Sequence, residues 1–571
     1  MRTTILLINV LIVVMASCQP ALPTTAPPTA TPVPALPTAA LPTATPVPAL
    51  PTAAPPTATP VPAVPTAAPP TTAAAPTGAQ AGKVPLKEAV NRLEPRSVWQ
   101  NFYNLTQVPR PSGQMDKVRA FLVQFGQGLG LETIVDTAGN VIIRKPAATG
   151  MEKRKGVILQ AHMDMVPQKT ADKVHDFVKD PIQAYVDGEW VKADRTTLGA
   201  DDGIGIAIAM AILESRTLAS GPIEVLLTAN EEAGGDGVAG LKRDTLKGDI
   251  LINLDAETEG EFIIGSAGGE TASVKAAYPE VAIPTGMAAY RLTVQGLKGG
   301  HSGTDINLGR GHAIKLLARL LKEASQNYGA RLAQIAGGSA VNAIPREAFA
   351  IVCVPDSRAG EFLKQVREFE GIVKKELAAV EPDFSVQATP VALPARVMDE
   401  SAQHNIIDAL DDTPQGVIRM SDVVPGLVET STNMGIVQAQ GGELQVTCSL
   451  RSSVGTSLDD LAQKISRVWE YAGFHVSLTG RYAGWNANPN SPILALMQTT
   501  YKEMYGHEAQ VKAIHAGLEC GVIAAKYPNL DVISIGPTLR DIHSPDERLE
   551  IASVKKVTDL LLETLKRIPN K

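Results

Sequence analysis

Leu226-Leu227-Thr228-Ala229-Asn230-Glu231-Glu232-Ala233-Gly234-Gly235 decides how this chain is read. The apolar run from Ile223 to Thr228 has the length of a buried strand, and it stops at two adjacent acids followed by a glycine turn. Neighbouring side chains diverge, so Glu231 and Glu232 can do different work. One carboxylate can hold a metal while the other takes a proton from an activated water. Alone, the stretch reads more simply as a polar strand-to-loop junction. Repetition changes that, because three other apolar runs also end in metal-type residues.

Working outward, Val157 to Ala161 is a buried strand that delivers His162-Met163-Asp164. Ile250 to Leu254 ends at Asp255, and Val532 to Ile535 is followed a few residues later by His543. Leu198-Gly199-Ala200-Asp201-Asp202-Gly203 leads into Ile204 to Leu213, whose Ala and Ile content predicts a buried helix. Val141 to Arg144 reads as a further strand, and Val84 to Tyr103 and Lys117 to Leu129 as helices. This alternation argues an α/β fold, with a mostly parallel mixed sheet flanked by helices. Ligands of such sheets bind outside the carboxyl ends of the strands. That edge is where this reading puts His162, Glu231, Glu232, Asp255 and His543, with Asp201 at the mouth of a helix.

From Gly269 to Arg481 the pattern changes. Tyr290 to Val294 alternates as a half-exposed strand, Ala313 to Ser325 is an amphipathic helix, and Ala348 to Val354 and Leu444 to Arg451 are further strands. The expectation is an inserted α/β lid or dimerisation domain in two similar βα halves, spanning 269–481. It would split the catalytic domain into 84–268 and 482–571.

His162, Asp201, Glu232, Asp255 and His543 form a candidate ligand set of two imidazoles and three carboxylates. It suits zinc first, with manganese or cobalt as alternatives. Five residues serve two metals if one carboxylate bridges them, and a shared water then loses its proton near neutral pH. Asp164 can bond the other ring nitrogen of His162 and fix its tautomer. Each residue has a plainer reading: a satisfied strand-end His, a helix cap at Asp201, a turn acid at Asp255. Six together at successive strand ends is the stronger observation.

His162-Met163-Asp164-Met165-Val166, Leu198-Gly199-Ala200-Asp201-Asp202-Gly203-Ile204-Gly205, Asn230-Glu231-Glu232-Ala233-Gly234 and Leu251-Ile252-Asn253-Leu254-Asp255 resemble the successive motifs of the M20 metallopeptidases. The segments Leu297 to Gly303, Asn342 to Glu347, Ile514 to Gly521, Ser534 to Pro537 and His543 to Glu547 resemble the aminoacyl-histidine dipeptidase branch in particular. The resemblance runs over residues 85–571. It implies a dinuclear dipeptidase in which His162 and Asp255 hold one divalent metal, Glu232 and His543 the other, and Asp201 bridges them. Glu231 would be the general base, Asp164 would orient His162, and His301 of the lid would stabilise the oxyanion. Asn342 and Arg451 would contact substrate, Arg451 suiting a terminal carboxylate. His515 and Glu519 would contact the substrate amine or stand behind the ligands. The implied substrates are short unblocked peptides, Xaa-His dipeptides first, and the implied assembly is a homodimer through the lid. One departure is Asp202, where the branch pattern has Asn.

The 571 residues carry a net charge of -7, with no basic run or interleaved aromatic patch to suggest nucleic acid. Met1-Arg2 followed by an apolar stretch to Ser17 reads as a secretory signal, and Met15-Ala16-Ser17-Cys18 resembles a lipobox with Cys18 as the lipidated residue. Two or more acyl chains there would anchor the protein stably to a bacterial membrane or cell surface. Pro20–Val33, Pro34–Val47 and Pro48–Val61 repeat a Pro/Thr/Ala unit too poor in large apolar residues to fold. As an extended polyproline linker, 19–83 could hold the domain up to about 150–200 Å from the anchor. Branch members are usually cytoplasmic, so this tail bears on the physiological substrate more than on the chemistry. Cys353, Cys448 and Cys520 are expected as buried free thiols. A non-catalytic binding lipoprotein and an M20-type amidohydrolase remain alternatives to the dipeptidase.

Overall fold

The computed structural model describes residues 83–571. Cys18, the signal stretch and all but the last residue of the linker lie outside the described residues. The catalytic sheet has eight strands, which run across it as Glu132–Val135, Val141–Lys145, Ile223–Thr228, Val157–His162, Ile250–Asn253, Asp531–Ser534, Glu261–Ser266 and Gln510–Ile514. The central four are mutually parallel, and antiparallel neighbours pair on either side of them. Ile223–Thr228, Val157–His162 and Ile250–Asn253 are buried at every position. Alternate residues feed two different cores. Val157, Leu159 and Ala161 face the one that holds the Ala200–Glu214 helix, while Ile158, Leu226 and Leu251 face the one that holds Ile523. Mostly apolar strands suit a sheet covered on both sides, and the polar residues on one face, Gln160, Glu224, Thr228 and Asn253, are buried as well.

The Ala200–Glu214 helix is apolar nearly all round and accordingly lies inside, against the Arg96–Thr106 helix. The single helix expected over Val84 to Tyr103 is not formed. Leu86–Ala89 and a short 3-10 turn precede Pro95, and the long helix starts only at Arg96. Pro95 lacks the N–H that an unbroken helix would use.

The lid contains two copies of one βαββαβ unit. The first is Met287–Gln295, helix Ala313–Tyr328, Arg331–Gly337, Ala348–Pro355, helix Ala359–Glu376 and Ser385–Val391. The second is Gly268–Ala277, helix Glu400–Asp412, Val428–Gln440, Glu443–Ser452, helix Gly455–Tyr471 and Val476–Tyr482. In both, the spatial order is fourth, first, third, second strand, and the copies join through Arg331–Gly337 against Val428–Gln440. The first copy is inserted after the opening strand of the second, so the repeat is nested rather than tandem. Cys353, Cys448 and Cys520 are free and buried.

Candidate metal centre

Four parallel strands pointing the same way bring their terminal residues to one edge. His162 is the last residue of its strand. Its Nε2 lies 2.9 Å from Asp201 Oδ1 and 3.6 Å from Asp255 Oδ1. The other Asp201 oxygen, Oδ2, lies 3.1 Å from His543 Nε2, which is itself 2.8 Å from Glu232 Oε1. Two triads therefore meet at Asp201, one carboxylate oxygen facing each. In each triad the ligand-type atoms lie within 4.8 Å of one another, and Glu231 forms a third such group with His162 and Glu232.

Buried polar groups fix these positions. The Glu547 carboxylate accepts backbone N–H bonds from Leu198, Gly199, Ala200 and Asp201 at 2.7, 3.0, 2.7 and 3.3 Å. It thus holds the loop that presents Asp201. Asp202, not Asp201, caps the helix: its Oδ1 accepts from Gly205 N–H and its Oδ2 from His162 N–H. Burial, with Asp201 adding to it, pushes the Asp202 carboxyl up to about 8. Asp164 accepts from Glu231 N–H at 3.0 Å, Glu232 N–H at 3.2 Å and Ser112 Oγ at 2.8 Å, and lies 3.4 Å from His162 Nδ1. One carboxylate ties a strand end to the turn carrying both glutamates. The Arg110 guanidinium donates to the carbonyls of Met163, Asp164 and Gly199. Asn230 and His543 adopt left-handed backbone conformations, φ 54° and 57°, an uncommon state for side-chain-bearing residues that aims the following or own side chain sharply.

The electrostatics fit cations. Burial and the neighbouring acids raise the Asp255 carboxyl well above its usual range and also raise Glu231. Burial alone would lower His162, but Asp255, Asp164 and Asp201 outweigh it and hold the ring well above its usual value. Hydrogen bonds to the Asp201 and Glu232 carboxylates raise His543 to about 10. Protons on two imidazoles thus balance the acids, and divalent ions would compete for the same lone pairs. For His543 the folded value lies above the ordinary 6.5. Its contribution to the stability of metal-free protein is complete below about 6.5 and fades as pH rises through about 10. Metal affinity should therefore increase with pH over the same window, with net proton release. Titration calorimetry with zinc or manganese at pH 7, in buffers of different ionisation enthalpy, checks this. Buffer-independent heats would contradict it.

The lid adds a second group of side chains. His301 Nδ1 accepts from the N–H groups of Gly303 and Thr304, both at 3.2 Å. The ring proton is therefore assigned to Nε2, leaving that N–H free to donate. Burial, then the charge of Arg451, lowers the His301 value and keeps it neutral. The short strand Gly300–His301 pairs with Ala343–Ile344, which seats exposed Asn342 beside the same loop. Gly303 packs so closely on the His515 carbonyl, from the catalytic domain, that a Cβ would come within 2.4 Å. His515 Nε2 meets Ser431 Oγ at 2.7 Å, and burial followed by Arg451 lowers its ring to about 4. Arg451 is only 9 % exposed, and among the described residues its side chain meets the Tyr482 hydroxyl rather than a carboxylate. Glu519 sits behind the strand ends, bonded to Gln160 and Thr228, and burial with the charge of Glu231 pushes it up to about 8. It backs the cluster rather than lining the cleft. Sequence reasoning gave no role to Arg110, Ser112 or Glu547.

A profile of peptidase family M20/M25/M40 matches residues 158–567, and the chain belongs to that family. It is 43 % identical over 482 residues to the cytosol non-specific dipeptidase of Escherichia coli strain K12, a match covering 84 % of this chain and 99 % of that one. The crystal structure of aminoacylhistidine dipeptidase from Vibrio alginolyticus superposes with a TM-score of 0.81 at 43 % identity, covering 84 % of this chain and 98 % of that one. A more distant similarity, 23 % over 140 residues, links it to succinyl-diaminopimelate desuccinylase of Sulfurovum sp..

Proposed function

We propose that the protein is a metal-dependent dipeptidase with two divalent ions, zinc first and manganese or cobalt next. Its substrates would be short unblocked peptides, Xaa-His dipeptides among the first. The observation that carries this reading is the pair of triads meeting at Asp201 beside a half-buried glutamate, Glu231, that belongs to neither. His162 and Asp255 would hold one ion, Glu232 and His543 the other, and Asp201 both. The ions, when bound, would supply Lewis acidity to the scissile carbonyl and acidity to a water.

The remaining steps belong to the chain's own residues. Glu231, with its raised carboxyl, takes the proton of the attacking water and returns it to the leaving amine. The free Nε2–H of His301 donates to the oxyanion as charge develops there. Arg451, a buried guanidinium without a counter-ion, supports the assignment of the substrate's terminal carboxylate to that position. Asn342 would contact the backbone of the bound peptide. Asp164 keeps the His162 ring and the Glu231 turn in register, and Glu519 and His515 support the strand ends and the Ser431 contact. Full coverage of two dipeptidase chains at 43 % identity favours this reading over the amidohydrolase one, whose named relative is matched over only 38 % of its length.

The same reading takes Cys18 as a lipid anchor, 19–83 as a spacer outside the cytoplasm, and the lid as the contact of a homodimer. Full-length protein and its Cys18→Ala variant test the proposal together. Metal-loaded enzyme should cleave Xaa-His and other dipeptides, lose that activity to a chelator, and run at twice the chain mass. The Cys18→Ala chain should move from the membrane to the soluble fraction. Metal uptake without any dipeptide cleavage would leave only a binding protein, and unchanged fractionation would remove the anchor.

A further inference from the structure

We propose that Tyr482 is a positioning residue that aims the Arg451 guanidinium at the substrate's terminal carboxylate. The inference rests on reading Arg451 as the carboxylate anchor. In the lid sheet Arg451 stands directly opposite Ser431 on one side and Gly269 on the other, and Gly269 in turn stands opposite Tyr482. Directly paired residues of antiparallel strands project to one face. Gly269 leaves a gap in that row, and the Tyr482 ring lies across it. A Cβ at residue 269 would come within 2.7 Å of the Tyr482 hydroxyl and 2.8 Å of its ring. On the far side, a Cβ at Gly517 would stand 3.1 Å from Tyr482 Cε2. The ring is thus held in a slot between a lid glycine and a catalytic-domain glycine, and its hydroxyl accepts an N–H from Arg451 Nη1 at 3.4 Å.

The chemistry of the partner matters. A carboxylate there would orient Arg451 but also neutralise it, and would compete with the substrate. A phenol fixes the plane of the guanidinium and leaves its charge undischarged. Arg451 Nε is buried without a protein partner, so the fork still has donors for an anion. The strand bearing Ser431 carries the next residue of the row, and Ser431 is bonded to His515. Tyr482 bonds Arg451 directly on one side, and on the other His515 bonds the opposite residue, Ser431.

Tyr482→Phe, compared with Arg451→Lys and Gly269→Ala, tests the assignment. For dipeptides with a free carboxylate, Tyr482→Phe should raise KM about tenfold with kcat nearly kept. For the matching dipeptide amides KM should not move. Gly269→Ala, which displaces the ring while keeping the hydroxyl, should reproduce the effect. Calorimetric binding of a dipeptide to a Glu231→Gln background should weaken by the same factor. If Arg451→Lys removes the preference for acid over amide but Tyr482→Phe does not weaken it, Tyr482 has no such role. If Arg451→Lys leaves that preference intact, the anchor itself is misassigned and the inference falls with it. Equal losses on acids and amides would show Tyr482 to be structural only.

Discussion

Glu231→Gln protein is expected to take up the wild-type complement of metal and to hydrolyse dipeptides about 10²–10⁴-fold more slowly, the range over which positioned general bases act. The two effects separate because of how the turn is built. The backbone N–H groups of Glu231 and Glu232 are both held by Asp164, so an amide at 231 leaves Glu232 where it is. The two triads that share Asp201 use Glu232 and not Glu231. Burial and the charge of Glu232 raise the Glu231 carboxyl, which suits a group that must accept a proton and then release it. A protein that merely bound peptides or metals would lose nothing by this change. Metal content by mass spectrometry and kcat on one dipeptide, measured on the same preparation, decide the point. Full activity would remove Glu231 from the mechanism. Loss of both metals and activity would make it a ligand.

How much of this was legible in sequence depended on how local the signal was. The strands that lead to His162, Glu231 and Asp255 are short, mostly apolar and buried at every position, so both their type and their carboxyl ends could be read directly. The grouping of His162, Glu232 and Asp255 as candidate ligands followed, since parallel neighbours put those ends on one edge. The break at Pro95 was visible as a residue but lost inside a favourable apolar period. The supporting groups were not legible in the same way. Glu547 reaches the Leu198 to Asp201 backbone from nearly 350 positions away, and a carboxylate that accepts only backbone bonds leaves no pattern in either segment. Arg110 is likewise a lone basic residue whose partners are carbonyls. Asp202 was legible only as a departure from the branch's Asn, whereas it is a buried cap. The repeat inside the lid was readable as two halves, but its nesting was not, because the opening strand of the second half precedes the whole of the first.

The second large effect concerns Asp201. Asp201→Ala should abolish the binding of both ions at micromolar free metal, whereas Asp255→Ala should retain one per chain. A carboxylate that offers one oxygen to His162's triad and the other to His543's lowers the charge at both positions and keeps the imidazoles apart. Without it, two imidazoles face the remaining acids with no shared anion, and each position is left with two protein donors where a stable site wants three or four. The expected loss exceeds on the order of 100-fold in affinity at each position, since even groups behind the ligands commonly cost 10- to 100-fold. The fold should survive. The backbone from Leu198 to Asp201 is held by Glu547, and the helix behind it is capped by Asp202; neither contact uses the Asp201 side chain. Equilibrium dialysis followed by metal analysis gives the stoichiometry, and thermal melting of the metal-free proteins shows whether the fold was kept. Two ions retained by a well-folded Asp201→Ala chain would mean that the triads are independent and that no carboxylate is shared between them.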